Sequence, residues 1–278
     1  MENEKYVKGA LKRNTVLHAR YRIMDILGQG GFGIVYLAYD LRQAENIAVK
    51  EYFPYGRAFR TGSSKVIFQE NCMNGYKQFV REASVMEEIN GYVETPAVWG
   101  FIRENNTAYI VMEYIKGVTL QKWIEKYGNI DAQSCFGMLN PVMQSLDRMH
   151  GRGILHMDIC PENILISDTG KVKIIDFGSA VDLKYGSPSI SEPTYRNGFS
   201  PPEQYEKNKM PGTWSDLYAL CATIFFCLTG TKPEDARKRL KTDQLGGTGK
   251  IPEAVKKGLA LEEKERWQDI KELLEALK

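Results

Sequence analysis

The hydrophobic pattern of this 278-residue chain changes near Gly117, and this change constrains the fold more than any other feature. Before Gly117, short runs of β-branched and aromatic residues alternate with turn-forming residues, which is typical of antiparallel strands. After Gly117, apolar residues recur at helical spacing. The sequence therefore predicts an α+β chain in which a small β-rich part is followed by a larger, mainly helical part.

Individual elements follow from the same periodicities. In the first part, we expect strands at 21–27, 34–39, 47–49, 97–103 and 108–114, a helix at about 75–90, and a short strand at 66–68 within an irregular segment. In the second part, we expect a hairpin at 164–167 and 172–175 and helices at 136–150, 216–229, 234–241, 252–260 and 267–277. The irregular segment carries Arg57, Arg60 and Lys65. It is either a docking site for an acidic partner or a solvated charged loop.

Composition excludes several classes of protein. The 37 basic and 35 acidic residues nearly balance, so the chain lacks the electrostatic footprint of a dedicated nucleic-acid binder. Its five cysteines are scattered and never form CxxC, which argues against a disulfide framework or a zinc site. The apolar run at 217–228 is shorter than the roughly 20 residues of a membrane-spanning helix. The N-terminus lacks the apolar stretch of a signal peptide, so we expect a cytoplasmic protein.

A glycine-rich segment is the first candidate site. Gly28, Gly30 and Gly33 form GxGxxG between two strand-like segments, and a third strand carrying Lys50 follows. In a dinucleotide-binding fold the same spacing opens a helix, which the pattern here does not predict. We therefore expect a flap laid over phosphate groups, because glycines let backbone amides approach phosphate oxygens closely.

An ordered series of motifs extends from about residue 20 to residue 277. It comprises the glycine segment at 27–35, Ala48-Val49-Lys50, Val111-Met112-Glu113-Tyr114, the segment 156–163 (HMDICPEN), Asp176-Phe177-Gly178, the segment 200–205 (SPPEQY), Asp216 and Arg266. In this series the chain resembles eukaryotic-type (Hanks-type) protein kinases, and in particular bacterial serine/threonine kinases with a DISPDN-like catalytic loop and a PPEQ motif. The resemblance implies a two-lobed α+β fold with a β-rich N-lobe and a mainly helical C-lobe. It places an N-terminal extension at 1–20 and the kinase domain at 21–278, with the N-lobe at about 21–113, a hinge at 113–117 and the C-lobe at 118–278.

The resemblance also implies how ATP phosphates are held. Lys50 would contact the α and β phosphates and form an ion pair with an acidic residue of the following helix. Glu82 fits the helix register best, although Glu87 and Glu88 lie nearby. The alternative is that these residues are ordinary surface charges.

Three further residues carry the implied chemistry. Asp158 would orient the acceptor hydroxyl and accept its proton, while Asn163 and Asp176 would bind Mg²⁺. The alternative for Asp158 is a turn-forming aspartate without a chemical role.

An adenine pocket between the lobes is implied as well. Its apolar walls would be Val35, Ala48 and Leu165, its gatekeeper Met112, and its hydrogen-bonding backbone that of Glu113 and Ile115. The complete set of implied nucleotide contacts is Leu27, Gly28, Gly30, Gly33, Val35, Ala48, Lys50, Met112, Glu113, Ile115 and Leu165. Each apolar residue of this set is equally typical of an ordinary core.

Four residues have structural roles in the resemblance. Glu203 is expected to pair with Arg266, and Asp216 is expected to brace the catalytic loop. His156 is interpreted as a packed core histidine, not as an acid or a base.

Two positions depart from the common HRDLKPEN pattern. Met157 replaces the arginine that reads an activation-loop phosphate in many kinases, so we expect activity without activation-loop phosphorylation. Cys160 replaces a lysine that contacts the γ phosphate, and our hypothesis is that Arg196 restores this positive charge. The alternative for Arg196 is a solvent-facing side chain. Cys160 itself is either a reactive thiol near cationic groups or an inert small residue.

These features predict a protein kinase that uses ATP and Mg²⁺ to phosphorylate serine or threonine hydroxyls of a protein substrate. A nucleotide-binding pseudokinase is the main alternative, and a kinase of small molecules fits the motifs less well. No nucleic-acid partner and no membrane segment are expected.

Overall fold

The computed structural model describes residues 7–70, 72–185, 195–206, 209–246 and 251–278. The chain divides into two compact units. The first comprises Met1–Asn90 and Pro96–Ile115, and the second comprises Gly91–Thr95 and Lys116–Lys278. Strands dominate the described part of the first unit and helices that of the second, so the α+β prediction is confirmed.

An antiparallel sheet forms the framework of the first unit. Its strands are β1 (Val16–Leu17), β2 (Tyr21–Gln29), β3 (Gly33–Asp40), β4 (Glu45–Tyr52), β7 (Val98–Glu104) and β8 (Thr107–Glu113). Their spatial order is β1-β2-β3-β4-β8-β7. The short strands β5 (Ala58–Phe59) and β6 (Ile67–Phe68) pair separately. Every strand predicted in this part is present, with ends that differ by a few residues.

The sheet has one face in the core, as its side-chain alternation requires. In β3, Ile34, Tyr36 and Ala38 are buried, whereas the residues between them are more accessible. Helix α1 (Met73–Glu88) contributes Phe79, which packs with Tyr52 of β4. This packing fixes the position of α1 relative to β4.

Residues 7–20 are part of the packed first unit. Leu17 pairs with Tyr21 of β2, and both Leu11 and Leu17 are buried in the core. The backbone N–H of Leu11 also donates a hydrogen bond to the Tyr36 hydroxyl, at 3.0 Å. The segment that the sequence treats as an extension therefore stabilises the sheet.

Arg60 forms a buried ion pair that sequence reasoning did not anticipate. Its guanidinium contacts the Glu51 carboxylate, and the two side chains are 6% and 0% exposed. The Tyr36 hydroxyl donates a further hydrogen bond to Glu51 Oε2, at 2.8 Å. Both sequence interpretations are wrong for Arg60, because a buried and paired guanidinium is neither solvated nor open to a partner. Lys65, in contrast, is exposed.

Helices predominate over strands in the second unit. They are α2 (Leu120–Tyr127), α3 (Ala132–His150), α4 (Thr213–Thr229), α5 (Ala236–Arg239), α6 (Glu253–Gly258) and α7 (Ile270–Ala276), with 3-10 helices at Pro161–Asn163, Leu183–Tyr185, Pro202–Tyr205 and Glu263–Glu265. The strands are β9 (Gly117–Thr119), β10 (Ile154–Leu155), β11 (Ile164–Ser167), β12 (Val172–Ile174) and β13 (Val181–Asp182). They form a sheet in the order β12-β11-β9 and a pair β10-β13. The predicted hairpin is β11-β12. Helix α2 was not predicted, because it buries only Leu120 and Ile124 and gives too short a periodic signal.

Helix α4 is the central helix of the second unit. Its residues from Ser215 to Cys227 are all buried, and it ends at Gly230, whose φ of 72° is readily adopted only by glycine. Its N-terminal turn carries Asp216. Among the described residues, no helix has both the length and the apolar character needed to cross a membrane.

The Arg60 ion pair generates a prediction about stability. Arg60→Met leaves the Glu51 carboxylate buried without a counter-charge, so we expect the free energy of unfolding to fall by about 3–5 kcal/mol. Lys65→Met, in the same segment but exposed, should change it by less than about 0.5 kcal/mol. Urea denaturation followed by circular dichroism measures both variants.

The double variant Arg60→Met/Glu51→Gln is the control for charge. Because it removes the stranded carboxylate, it should recover part of the stability that Arg60→Met loses. Equal stability of Arg60→Met and the unmodified protein would contradict the role given to the ion pair.

Candidate active site

The three glycines of the GxGxxG segment lie where β2 meets β3: Gly28 is near the end of β2, Gly30 is in the turn, and Gly33 begins β3. The Gly30 N–H donates to the Gly33 carbonyl oxygen at 2.9 Å. A Cβ atom at Gly33 would overlap the backbone oxygen of Glu51, whereas one at Gly28 or Gly30 would meet nothing within 4 Å. Gly33 is therefore required by packing in the sheet, and Gly28 and Gly30 leave an open backbone surface.

Lys50 lies in β4 and forms the expected ion pair with Glu82 of α1. Its Nζ atom is 2.5 Å from Glu82 Oε1, and the two side chains are 12% and 2% exposed. Glu87 and Glu88 of the same helix are exposed. Glu82 is therefore the partner within α1, and the low exposure of the pair restricts where the ammonium group can lie.

The residues implied for adenine contact lie partly in the first unit. Ala48 and Met112 are directly paired in neighbouring strands and are both buried, while Val35 is half-buried in β3. The Glu113 N–H donates to the Ala97 carbonyl oxygen at 2.8 Å.

Three further residues are implied for nucleotide contact. The Ile115 N–H has no hydrogen-bond partner among the described residues, so it remains an open backbone donor. Leu27, in β2, is half-buried. Leu165 belongs to the second unit, where it is half-buried in β11.

In the second unit, the loop at residues 156–163, which we call the Asp158 loop, is held by Asp216. This fully buried carboxylate accepts hydrogen bonds from the backbone N–H groups of His156 and Met157, both at 2.8 Å, and contacts His150 Nε2 at 2.8 Å. Burial raises the pKa of Asp216, but the contacts with His150 and the backbone outweigh it and keep the pKa below its usual value. The predicted bracing role of Asp216 is confirmed.

Asp158 is buried and is oriented by Asn163. The amide Nδ2 of Asn163 donates to Asp158 Oδ2 and to the Asp158 backbone oxygen, both at 2.9 Å. Burial raises the pKa of Asp158 to about 6, although the neighbouring Arg196 opposes this shift and the charge of Asp176 adds to it. Because both bonds use the amide nitrogen, the amide oxygen of Asn163 is left as an acceptor.

Arg196 is paired with the Asp158 loop, although its side chain remains 32% exposed. Its Nε atom lies 3.1 Å from Asp158 Oδ1, and its Nη1 atom lies 2.7 Å from Glu162 Oε2. Its backbone N–H donates to Ser200 Oγ at 2.9 Å, which fixes the base of the side chain. The interpretation of Arg196 as a solvent-facing residue is therefore wrong.

Cys160 is an inert residue in this setting. It is 1% exposed, and burial raises the pKa of its thiol to about 12, although the charge of Arg196 acts in the opposite direction. A thiol that stays protonated is a poor nucleophile, so the reactive-thiol interpretation is wrong.

The remaining structural predictions are confirmed. Arg266 donates two hydrogen bonds to the carboxylate of Glu203, at 2.8 and 3.0 Å. His156 is fully buried against Phe177, with ring centroids 4.8 Å apart. Burial lowers the pKa of His156, so its ring stays neutral.

Sequence reasoning missed two contacts of Met157. Its buried side chain packs with Leu155 and Val181, which are paired residues of β10 and β13. Its carbonyl oxygen accepts a hydrogen bond from Gln204 Nε2 at 2.7 Å. The only signal for Gln204 in the sequence was its place in the PPEQ motif, directly after Glu203.

Each unit thus holds a group of side chains whose chemical use is known. The first holds an ammonium group against a buried carboxylate beside an open glycine turn, and the second holds a buried aspartate against an asparagine amide. Such groups serve ATP-dependent phosphotransferases of the protein-kinase type. The fold and these residues define the chain as kinase-like.

Comparison with known families identifies the class. The model of the protein kinase domain matches residues 21–277. The chain belongs to the protein kinase domain family, and its fold is the two-lobed α+β kinase fold that the motif series implied.

Its relatives are bacterial kinases of the Hanks type. Serine/threonine-protein kinases F and D of Synechocystis sp. are 32% and 30% identical over 79% and 93% of this chain, and over 46% and 52% of their own lengths. PknB of Mycobacterium tuberculosis is 32% identical over 78% of this chain and 33% of that kinase. The chain therefore spans about half the length, or less, of these curated relatives. The solved structure described as "PpkA-294 apo form" is 27% identical, with a TM-score of 0.82 over 98% of this chain and all of that chain.

Proposed function

We propose that this chain transfers the γ-phosphoryl group of ATP to serine or threonine hydroxyls of a protein substrate, with Mg²⁺ as cofactor. The observation that carries the proposal is the buried Asp158 carboxylate, held from one side by Asn163 and from another by Arg196. The relatives named serine/threonine-protein kinases support the choice of acceptor. The catalytic domain in this proposal is 21–278, with the N-lobe at about 21–113, the hinge at 113–117 and the C-lobe at 118–278.

Residues of the first unit bind the nucleotide in this proposal. Lys50 contacts the α and β phosphates, and Glu82 keeps its ammonium group in place. The open backbone at Gly28 and Gly30 approaches the phosphates. The free Ile115 N–H donates to the adenine ring.

For the remaining nucleotide contacts, we propose the roles that the resemblance implied. Leu27, Val35, Ala48 and Leu165 supply apolar contacts to the base. Met112 limits the depth of the pocket, and the backbone of Glu113 hydrogen-bonds the adenine. Gly33 contributes indirectly, by allowing the turn to pack on β4.

Mg²⁺ fits the oxygen donors of Asn163 and Asp176. The Asn163 amide oxygen is left as an acceptor, and Asp176 is an exposed carboxylate whose charge reaches Asp158. The described residues contain no group of three or more His, Cys, Asp or Glu side chains that would hold a metal ion. Mg²⁺ usually binds one or two protein oxygens and completes its shell with waters and substrate phosphates, so the two donors proposed here are enough for it. Bound there, the ion would neutralise charge on the phosphates.

Asp158 acts as the base through Oδ1. A carboxylate offers about four acceptor sites, and the Asn163 amide uses one on Oδ2. Among the described residues, Oδ1 accepts only the 3.1 Å bond from Arg196 Nε. It therefore keeps an acceptor site for the hydroxyl of the substrate, from which it takes the proton.

Arg196 supplies positive charge that Cys160 does not. A guanidinium beside Asp158 favours the ionised form of the base, and it lies near the Cys160 thiol, where the common pattern has a lysine. Its second contact, with Glu162, limits the orientations that the guanidinium group can adopt. We place Arg196 among the catalytic residues on these grounds.

A pseudokinase is not favoured, because Lys50, Asp158, Asn163 and Asp176 are all present and the first three lie in ordered contacts. Protein-kinase family membership also argues against a kinase of small molecules.

Asp158→Asn tests the proposed function. The amide cannot accept the proton, so we expect kcat to fall about 10³-fold while nucleotide binding persists. The matched control is Asp168→Asn, at an exposed aspartate 54% accessible in the same unit, which should retain full activity. Phosphosites are mapped by mass spectrometry after incubation with ATP and Mg²⁺. Nucleotide binding without any transfer that depends on Asp158 would instead identify a pseudokinase.

Arg196→Ala tests the proposed source of positive charge. Loss of one preorganised charged donor should lower kcat about 10²-fold. Since the guanidinium lowers the pKa of Asp158, its removal should also move the acid limb of the kcat/KM profile above the value of about 6 found for Asp158. Arg196→Lys keeps the charge and should show a smaller shift. An unchanged rate and an unchanged acid limb in Arg196→Ala would refute the role of Arg196.

A further inference from the structure

The contact between Gln204 and Met157 links the PPEQ segment directly to the Asp158 loop. Gln204 Nε2 donates to the Met157 carbonyl oxygen at 2.7 Å, which is a short and well-formed hydrogen bond. Met157 is the residue that precedes Asp158. The contact therefore acts one peptide group away from the proposed base.

The Met157 carbonyl belongs to the same planar peptide group as the Asp158 N–H. Gln204 holds the oxygen end of this plane, and His156 Nδ1 accepts a hydrogen bond from the Asp158 N–H at the other end, at 3.2 Å. With both ends fixed, the plane cannot rotate without breaking one of the two bonds. The direction in which the Asp158 side chain leaves the backbone is fixed with it.

This peptide group needs such support because Met157 has a φ of 66°, in the left-handed region that non-glycine residues seldom adopt. Asp216 holds the N–H of Met157, and Gln204 holds its carbonyl oxygen. The two contacts act on different peptide groups, so Asp216 does not replace the one that Gln204 makes.

The position of Gln204 is itself fixed by the residues around it. It lies in the 3-10 helix Pro202–Tyr205, where the preceding Glu203 is fixed by Arg266 and by Ser215 Oγ at 2.7 Å. A half-buried side chain on such an anchored turn has little freedom to move. It is therefore suited to position another group.

We infer that Gln204 is a positioning residue for Asp158, which it orients through the Met157 carbonyl without contacting the substrate. This inference rests on the proposed function, since it concerns the same base. It gives the glutamine of the PPEQ segment a defined role, because an amide donor at this site couples the segment that carries Arg196 to the loop that carries Asp158.

Gln204→Ala and Gln204→Glu separate a positioning role from a merely structural one. Gln204→Ala removes the donor, and we expect kcat to fall about tenfold with the KM for ATP unchanged, because a small displacement of the base slows the chemical step. Gln204→Glu keeps the shape but opposes an ionised carboxylate to the carbonyl oxygen, so at pH 8 its kcat should fall further.

The split between kcat and KM gives the decisive readout. A displaced base slows the chemical step without weakening nucleotide binding, so the loss in Gln204→Ala and Gln204→Glu should lie in kcat and leave the KM for ATP unchanged. Gln133→Glu, which places the same charge at an exposed position of α3, should stay fully active.

Full activity of Gln204→Ala, or a loss that appears in the KM for ATP and not in kcat, would overturn the inference. So would a loss of kcat of the same size in Gln133→Glu. Asp158→Asn, assayed in parallel, distinguishes the two levels of the proposal. If transfer depends on Asp158 but not on Gln204, only the positioning role fails, and if the unmodified enzyme shows no transfer that depends on Asp158, the proposed function fails.

Discussion

The buried carboxylate of Asp216 is the interaction on which the candidate site of the second unit depends. A non-glycine residue at positive φ costs about 1–3 kcal/mol, so Met157 keeps its φ of 66° only because its surroundings demand it. Asp216 meets that demand by accepting the N–H groups of His156 and Met157 from the first turn of a helix that is buried along most of its length. This bend shapes the Asp158 loop. It therefore sets the positions of Asp158 and its partner Asn163, which both lie in that loop.

The Asp158 loop is held in place by residues of the same chain. Where many kinases have an arginine that needs a phosphate, Met157 packs against Leu155 and Val181 and needs only apolar neighbours. Arg196 brings its charge to Asp158, and Ser200 fixes the backbone of Arg196. We therefore propose that the base is oriented without phosphorylation. In the first unit, too, the Lys50–Glu82 ion pair is formed by residues of the unit itself.

The sequence predicted the contacts between complementary side chains in recognised motifs. Lys50 with Glu82 and Glu203 with Arg266 are examples, because charge and motif spacing identify both partners. The bond from Gln204 to the Met157 carbonyl was missed because its acceptor is a backbone oxygen, which carries no side-chain signal, and because no motif role pointed to Gln204. Arg60 was misread for a different reason. A charged residue in an irregular segment looks solvated, and only the fold shows that it is buried against Glu51.

The most direct test of a loop held without phosphate is the initial rate of the fully dephosphorylated protein. The chain is treated with a phosphatase, the phosphatase is removed, and mass spectrometry verifies that no phosphosite remains before ATP, Mg²⁺ and a protein substrate are added. Because Met157 offers no cation to a phosphate, we predict turnover at the full rate from the first measurement. A lag that shortens as enzyme concentration rises, or no turnover until the chain phosphorylates itself, would contradict this account.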